Sequence, residues 1–215
     1  HRGAQGRPPA FQPHVSGEDT GPPPSEGHSL GTSAEEFSRA RASLRAADRG
    51  SLTELQRGFR EQIDGFLEEH GPVALTRRCL PGHLTASCLL WSHDGTQVLL
   101  HHHRKLGLWL QFGGHCDGEG DTRMVALRET MEESGIEPTF LTEAPVDFDV
   151  HTIPARPGEP EHVHLDVRYL AVAPEGARET LSEESLALAW LTPAAALEQG
   201  VDESLRRMIL LGSPR

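Results

Sequence analysis

Apolar positions follow two different periods along this chain, and the change of period divides it. From Ser33 to Gly71 they recur at three- and four-residue intervals, the spacing of one helix face. Phe37, Ala40, Leu44 and Ala47 follow Ser33-Ala34-Glu35-Glu36, a capping-box pattern, and Gly50 stops the run. Ser51-Leu52-Thr53-Glu54 repeats the capping signal. Leu52, Leu55, Phe59, Ile63, Phe66 and Leu67 then line one face until Gly71-Pro72. The two runs predict a helical hairpin. From Leu84 the period becomes that of strands, with runs over Leu84 to Trp91 and Gln97 to His103 joined by His93-Asp94-Gly95, a hairpin signal. A helix is predicted from Asp121 to Ser134, ended by Gly135. Strands resume at Val146 to Ile153, His162 to Ala173 and Leu186 to Leu191. Thr192-Pro193 then opens a short helix, and Asp202 a last one with Leu205, Met208 and Ile209 on one face. Strands that alternate with helices yet include hairpins imply a mixed sheet between helices, an α/β (α+β) architecture.

Composition trims this picture at the front. Residues 1–31 hold six Pro and six Gly, with only Phe11, Val15 and Leu30 as sizeable apolar residues. Such a stretch buries too little surface to offset its ordering entropy, so it reads as a disordered leader. The expected division is a leader (1–31), a helical hairpin (32–72) and one catalytic-type domain (73–215).

Charge changes the functional picture. The 32 acidic residues outnumber the 20 basic ones, for a net charge of −12. That argues against bulk binding of nucleic acid or anionic lipid. Phosphate chemistry on such a chain would call for local cations, most simply metal ions. No apolar run approaches the roughly 20 residues of a membrane span, and the N-terminus lacks a secretory layout. Three cysteines without a CxxC spacing suit a reducing, cytoplasmic setting.

The segment with the most chemistry runs from Gly113 to Ile136. Gly113-Gly114-His115-Cys116-Asp117-Gly118-Glu119-Gly120-Asp121 reads as a glycine-rich turn. At about 100° per residue, Glu129, Glu132 and Glu133 of the following helix fall within roughly a 100° arc, with Met124, Leu127 and Met131 opposite on the expected core side. Like charges at this spacing repel by about 0.2–0.5 kcal/mol per pair. A bound Mg2+ or Mn2+ would relieve that repulsion, since these ions prefer carboxylate oxygens. Glycines before the helix would let backbone approach a ligand closely.

These residues resemble the Nudix hydrolases, whose box reads G-x5-E-x7-R-E-U-x-E-E-x-G-U with U a bulky aliphatic. Gly114, Arg128, Glu129, Glu132, Glu133, Gly135 and Ile136 match in register. Two positions depart: Gly120 stands where the first Glu belongs, flanked by Glu119 and Asp121, and Thr130 stands at the aliphatic position. The resemblance covers residues 80–212. It implies a Nudix-type α/β/α sandwich and a small nucleotide-type substrate. The reaction implied is hydrolysis of a pyrophosphate bond in a nucleoside diphosphate linked to another moiety. It further implies that Glu129, Glu132 and Glu133 bind Mg2+ or Mn2+ with the Gly114 carbonyl, Arg128 holding the cluster. Glu132 is then the carboxylate that activates water, or a base outside the box does so, for which Glu183 and Glu184 are the candidates. Glu119 or Asp121 would take over the anchoring of Arg128. Members often pair, so a homodimer is a further implication. The alternative reading, drawn from Gly120, is a non-catalytic Nudix-like domain that binds a nucleotide and regulates a partner.

Four further residues are candidates for substrate contact. Trp109 could stack on a base, Arg104 could meet phosphate, and His115 and His164 could donate to it. Histidines form a second theme, because ten of the 13 fall at or after His70. His101 and His103 share one strand face, and His162, His164 and Asp166 share another. Such a face could hold Zn2+ or another transition metal. The spacing matches no specific zinc pattern, however, and ordinary packing is the reading it favours.

Overall fold

The computed structural model describes residues 33–47 and 51–212; the expected leader and the helix stop at Gly50 lie outside the described residues. Two helices come first, α1 (Ser33–Ala46) and α2 (Glu54–His70), then a 3-10 turn at Gly71–Leu75. Thr53 caps α2 with a reciprocal box: its hydroxyl accepts from the Gln56 N–H, and the Gln56 side chain accepts from the Thr53 N–H. Strands β1 (Gly82–Trp91), β2 (Val98–His103), β3 (Trp109–Leu110) and β4 (Phe112–His115) follow, and then α3 (Thr122–Ser134). The remainder is β5 (Thr139–Phe140), β6 (Asp147–Ile153), β7 (His162–Val172), β8 (Ser185–Leu191), α4 (Pro193–Glu198) and α5 (Glu203–Leu210). Asp121, Thr192 and Asp202 cap α3, α4 and α5 as the sequence predicts, each side chain accepting a backbone N–H.

All eight strands form one mixed sheet with β1 as its axis. On one side β1 pairs in parallel with β7, from Gly82↔Val163 to Trp91↔Val172. On the other it pairs antiparallel with β4 in its first half, Thr85↔His115 to Cys88↔Phe112, and with β2 at Leu90↔Leu99 and Trp91↔Val98. β6 and β5 pair with β7, and β3 and β8 with β2. The result is the expected sandwich. Leu84, Ala86, Cys88 and Leu90 share a core with Val125 and Ala126 of α3, Leu44 of α1 and Ile63 of α2. Leu89 and Trp91, on the opposite face, share another with Leu205, Met208 and Ile209 of α5. Each large aliphatic side chain so buried contributes about 1.5–3 kcal/mol.

The second face is apolar only at the Leu89–Trp91 end. Toward the start of β1 it becomes His83, Thr85 and Ser87, all buried. Asp166 of β7 accepts from Thr85 Oγ1 at 3.0 Å, Ser87 Oγ at 2.7 Å and Arg168 Nε at 2.8 Å. Asp147 of β6, fully buried, accepts from Gln56 of α2 at 2.8 Å and from Arg207 Nε of α5 at 2.9 Å. This ionic group ties the start of α2 and α5 to β6. Removing one partner would strand a buried charge, a loss of about 3–5 kcal/mol.

The structure corrects several local expectations. Gly113 and Gly114 lie in β4 and not in a turn; the turn comes after them, where Asp117 (φ 48°) and Gly118 (φ 99°) are left-handed. Leu55, expected on the buried face of α2, is 54% exposed, while Leu52 just ahead of the helix is buried. Met131 is exposed as well. The buried residues of α3 are Thr122, Val125, Ala126, Thr130, Glu133 and Ser134. The reason is docking: α3 lies on β1 and on the side-chain-free Gly113-Gly114 segment, which buries the side of the helix facing them, with Glu133 met there by the Gly113 N–H. Thr130 and Ser134 bury their hydroxyls by donating back to the Ala126 and Thr130 carbonyls.

Candidate active site

β4 and the C-terminal half of α3 bring the carboxylates to the sheet. The Gly113 N–H donates to Glu133 Oε2 at 3.0 Å. Gly114 faces Glu129 so closely that a Cβ there would overlap the Glu129 carboxylate. Glycine at this point is therefore what allows Glu129 to lie on the β4 backbone. Glu132, one residue before Glu133, stays exposed. The three carboxylates gather as the helical spacing predicts, but Glu133 belongs to the buried face of α3 and not to a solvated one.

Arg128 holds this group together. Its Nη1 donates to Glu119 at 2.9 Å, and its Nη2 donates to Glu129 at 3.0 Å and to the His115 carbonyl at 3.2 Å. The anchoring role thus falls to Glu119, while Asp121 is occupied in capping α3. The structure also gives the physical reason for Gly120. A Cβ at this position would collide with the backbone carbonyl of Glu36 in α1. The Gly120 N–H donates to Glu36 Oε2 at 2.8 Å, and the same carboxylate accepts from Arg39 at 2.9 Å. An acidic side chain at 120 has been exchanged for direct packing of α1 on the loop. Sequence reasoning placed Glu36 only in a helix cap, and nothing local in the sequence marks its contact with Gly120.

Burial dominates the electrostatics. It raises the Glu133 carboxyl to about 8 against the partial relief of the Gly113 N–H, and Glu129, Glu184 and Glu132 raise it further. Burial also raises Glu129, offset by its pairing with Arg128 and reinforced by Glu132 and Glu184. Mutual repulsion is therefore the smaller influence. At neutral pH the Glu133 carboxyl holds a proton that a divalent cation would displace.

His101 of β2 is an addition to this site. Its Nδ1 stands 3.9 Å from Glu133 Oε1 and 2.9 Å from Ser185 Oγ, and burial holds the imidazole down near 4, so it is neutral beside Glu133. The alternation of His101 and His103 along β2 was the available signal. Glu184, ahead of β8, acts electrostatically on both Glu129 and Glu133. Glu183 and Glu184 line a cavity of about 200 Å³ with His103, Arg104 and Lys105. Arg104 spends its guanidinium on the Glu183 and Ser185 carbonyls, at 2.9 and 3.2 Å. Trp109 is half-buried, its ring 5.2 Å from that of His102 and packed on the α5-side core.

His115 and His164 are not brought to the carboxylates. Successive strand residues face opposite ways, so Gly114 faces α3 and His115 faces away from it. His115 packs at 4.9 Å from both His83 and His164. Asp166, expected to share that face, does so but is taken up by Thr85, Ser87 and Arg168.

A family model described as the NUDIX domain matches residues 81–211. No curated protein matches the chain. Solved structures with a similar arrangement include a NUDIX-family hydrolase from Clostridium perfringens, 23% identical, covering 60% of this chain and 92% of its own, with a TM-score of 0.45. Another is an Ap4A hydrolase binary complex from C. elegans, 19% identical over 59% of this chain and 92% of its own, with a TM-score of 0.49. A third is the dihydroneopterin triphosphate pyrophosphohydrolase of E. coli, 19% identical over 60% and 92%, with a TM-score of 0.47. The substrates in these names belong to those proteins.

Proposed function

The chain belongs to the Nudix hydrolase family, and from that premise we propose that it cleaves a pyrophosphate bond in a nucleoside diphosphate linked to another moiety, in a Mg2+- or Mn2+-dependent reaction. The observation that carries this reading is the joint seating of Glu129 and Glu133 on the β4 backbone, with Arg128 bridging Glu129 and Glu119. The donor set fits a hard dication: clustered carboxylates, Glu133 raised to about 8 and Glu129 raised by burial, beside a glycine whose lack of a side chain admits them. Glu129, Glu132, Glu133 and the Gly114 carbonyl would hold the ion. When bound, it shields phosphate charge and acidifies water.

The residues divide the remaining work. Arg128 neutralises Glu129 and fixes its orientation through a fork that lysine could not reproduce. Glu132, the exposed member, is assigned to orienting and deprotonating the attacking water. Glu184 is the alternative base, supported by its electrostatic reach to Glu129 and Glu133. The contact of Glu119 with Arg128 favours turnover over the non-catalytic reading, because the anchor that Gly120 cannot supply is supplied by its neighbour.

The test is nucleotide or phosphate release across a panel of nucleoside diphosphate derivatives with Mg2+, repeated with Glu132→Gln and Glu133→Gln. Turnover of at least one substrate class, lost in both variants, is expected. Binding of every substrate without turnover would overturn the enzymatic reading. Full activity in both variants would overturn the site assignment.

A further inference from the structure

The face of the sheet opposite α3 carries a second cluster. In the strand register His83 of β1 lies opposite His164 of β7, and Thr85, on the same face two residues on, lies opposite His115 of β4. Alternation along each strand therefore puts the three rings on one face. Each offers a ring nitrogen, and these atoms lie within 4.8 Å of one another. A one-residue slip of either pairing would scatter them, so the grouping belongs to the register and not to any local motif.

Ordinary packing does not account for the cluster. His83 is only 4% exposed, yet neither of its ring nitrogens makes a hydrogen bond, although the Cys79 backbone lies near enough to favour its proton. A buried imidazole with both nitrogens unsatisfied is costly unless something else meets it. Its ring neighbours are His115, His162 and His164, all between 4.9 and 5.0 Å. Among the described residues, no carboxylate faces it at hydrogen-bond distance. The Pro160 carbonyl, which can only accept, lies 2.9 Å from His162 Nδ1, so that nitrogen donates to it, while Nε2 lies 3.3 Å from His164 Nε2 and 3.7 Å from Glu159 Oε1. A partner that fixes the other ring nitrogen of a ligating histidine is the usual support of a metal centre, and His162 Nε2 stands in that place beside His164.

We infer that His83, His115 and His164 form a three-imidazole site for a transition-metal dication, Zn2+ in the first instance, with His162 as the positioning residue for His164. Imidazole nitrogens suit zinc, copper and nickel and leave Mg2+ to the carboxylates on the other face. Three protein nitrogens with a fourth position free is a coordination set zinc adopts when it also binds water or a ligand oxygen. A tetrahedron with Zn–N bonds of about 2.0–2.1 Å has an edge of roughly 3.4 Å. Reaching it requires small rotations of His115 and His164, which are only partly buried, about an immobile His83.

The experiment uses the full chain, purified without metal resin, stripped with chelator and kept in excess Mg2+ so that the carboxylates are occupied. Zn2+ is titrated by calorimetry, and Co2+ serves as an optical reporter of a tetrahedral nitrogen site. One equivalent of Zn2+ should bind, and Co2+ should give the visible absorption of four-coordinate geometry. His115→Ala and His164→Ala should each weaken Zn2+ at least 100-fold, and His162→Ala by about 10–100-fold. The double variant Glu129→Gln/Glu133→Gln should bind Zn2+ as the parent does. If His83→Ala unfolds the chain, the variants at the partly exposed His115 and His164 decide alone. Failure of the parent to bind Zn2+, or binding indifferent to all of these histidines, would overturn the site. Loss of Zn2+ only in the glutamate double variant would assign the ion to the carboxylates and overturn it equally.

Discussion

Two polar clusters lie back to back across β1 and β4, joined by consecutive residues. Gly114 faces the α3 carboxylates, and His115 faces the imidazoles of His83 and His164. The carboxylate side is built along one helix and one short strand. The imidazole side takes one residue from each of three strands. They also respond oppositely to burial, which drives protons onto Glu133 and off His164. One desolvating fold therefore prepares hard, proton-laden oxygens on one face and neutral nitrogens on the other. Each donor set suits a cation, but not the same one.

The largest expected effect falls on the carboxylate side. Glu133→Gln should reduce Mg2+-dependent turnover by about 10²–10⁴-fold, measured as kcat on whichever substrate the panel identifies. Retention of activity would detach the buried glutamate from the chemistry. Next comes the docking of α1. Gly120→Ala should destabilise the chain by about 3 kcal/mol, because its Cβ meets the backbone of Glu36. A fall in Tm of several degrees in thermal denaturation checks it. An unchanged Tm would mean that α1 does not hold the loop. Arg128→Lys keeps the charge but loses the fork to Glu119, Glu129 and the His115 carbonyl. Activity should drop about tenfold with little loss of stability, as read by kcat and Tm together.

The smallest effect is the sharpest test of the opposition between the two faces. Glu133, facing the Gly113 N–H, Glu129, Glu132, Glu184 and His101, titrates near 8 when folded and near 4.5 when unfolded. Its raised value favours folding below pH 4.5, and that contribution is lost as pH rises through 8. His164, facing His115, His151, His83 and His162, is held near 2 against an unfolded value of 6.5. The unfolded chain takes up that proton first, so stability falls as pH drops below 6.5 toward 2. In chelator, Tm should decline on both sides of mildly acid pH. Glu133→Gln should flatten the alkaline decline, and His164→Asn the acid one. Crossed effects would show that the two faces titrate as one network.

Most elements could be read in advance because they depend on neighbours in the chain. The capping residues Asp121, Thr192 and Asp202, the strand alternation of β1, β6 and β7, and the stop at Gly135 are local properties, whereas the cap of α2 falls on Thr53 with Gln56 and not on Ser51 with Glu54. The short strands β3, β4 and β5 have too few residues for a period to show, and Gly113-Gly114 looked like a turn for the same reason. Arg128, Glu129, Glu132 and Glu133 were legible because one helix turn spaces them. Their depth was not, since the docking of α3 on β1 and β4 decides which of its sides faces the sheet, and that docking exposed Met131 and buried Glu133 against the Gly113 N–H.

Local spacing, then, settled the order of elements and the box residues, for hydrogen bonds and side-chain directions repeat over a few positions in helix and strand. Glu36 on Gly120, Glu119 on Arg128, and the meeting of His83, His115 and His164 had to wait for the folded sheet. Those contacts join residues distant in the chain through strand register and helix docking, and register is set by the burial of a whole face.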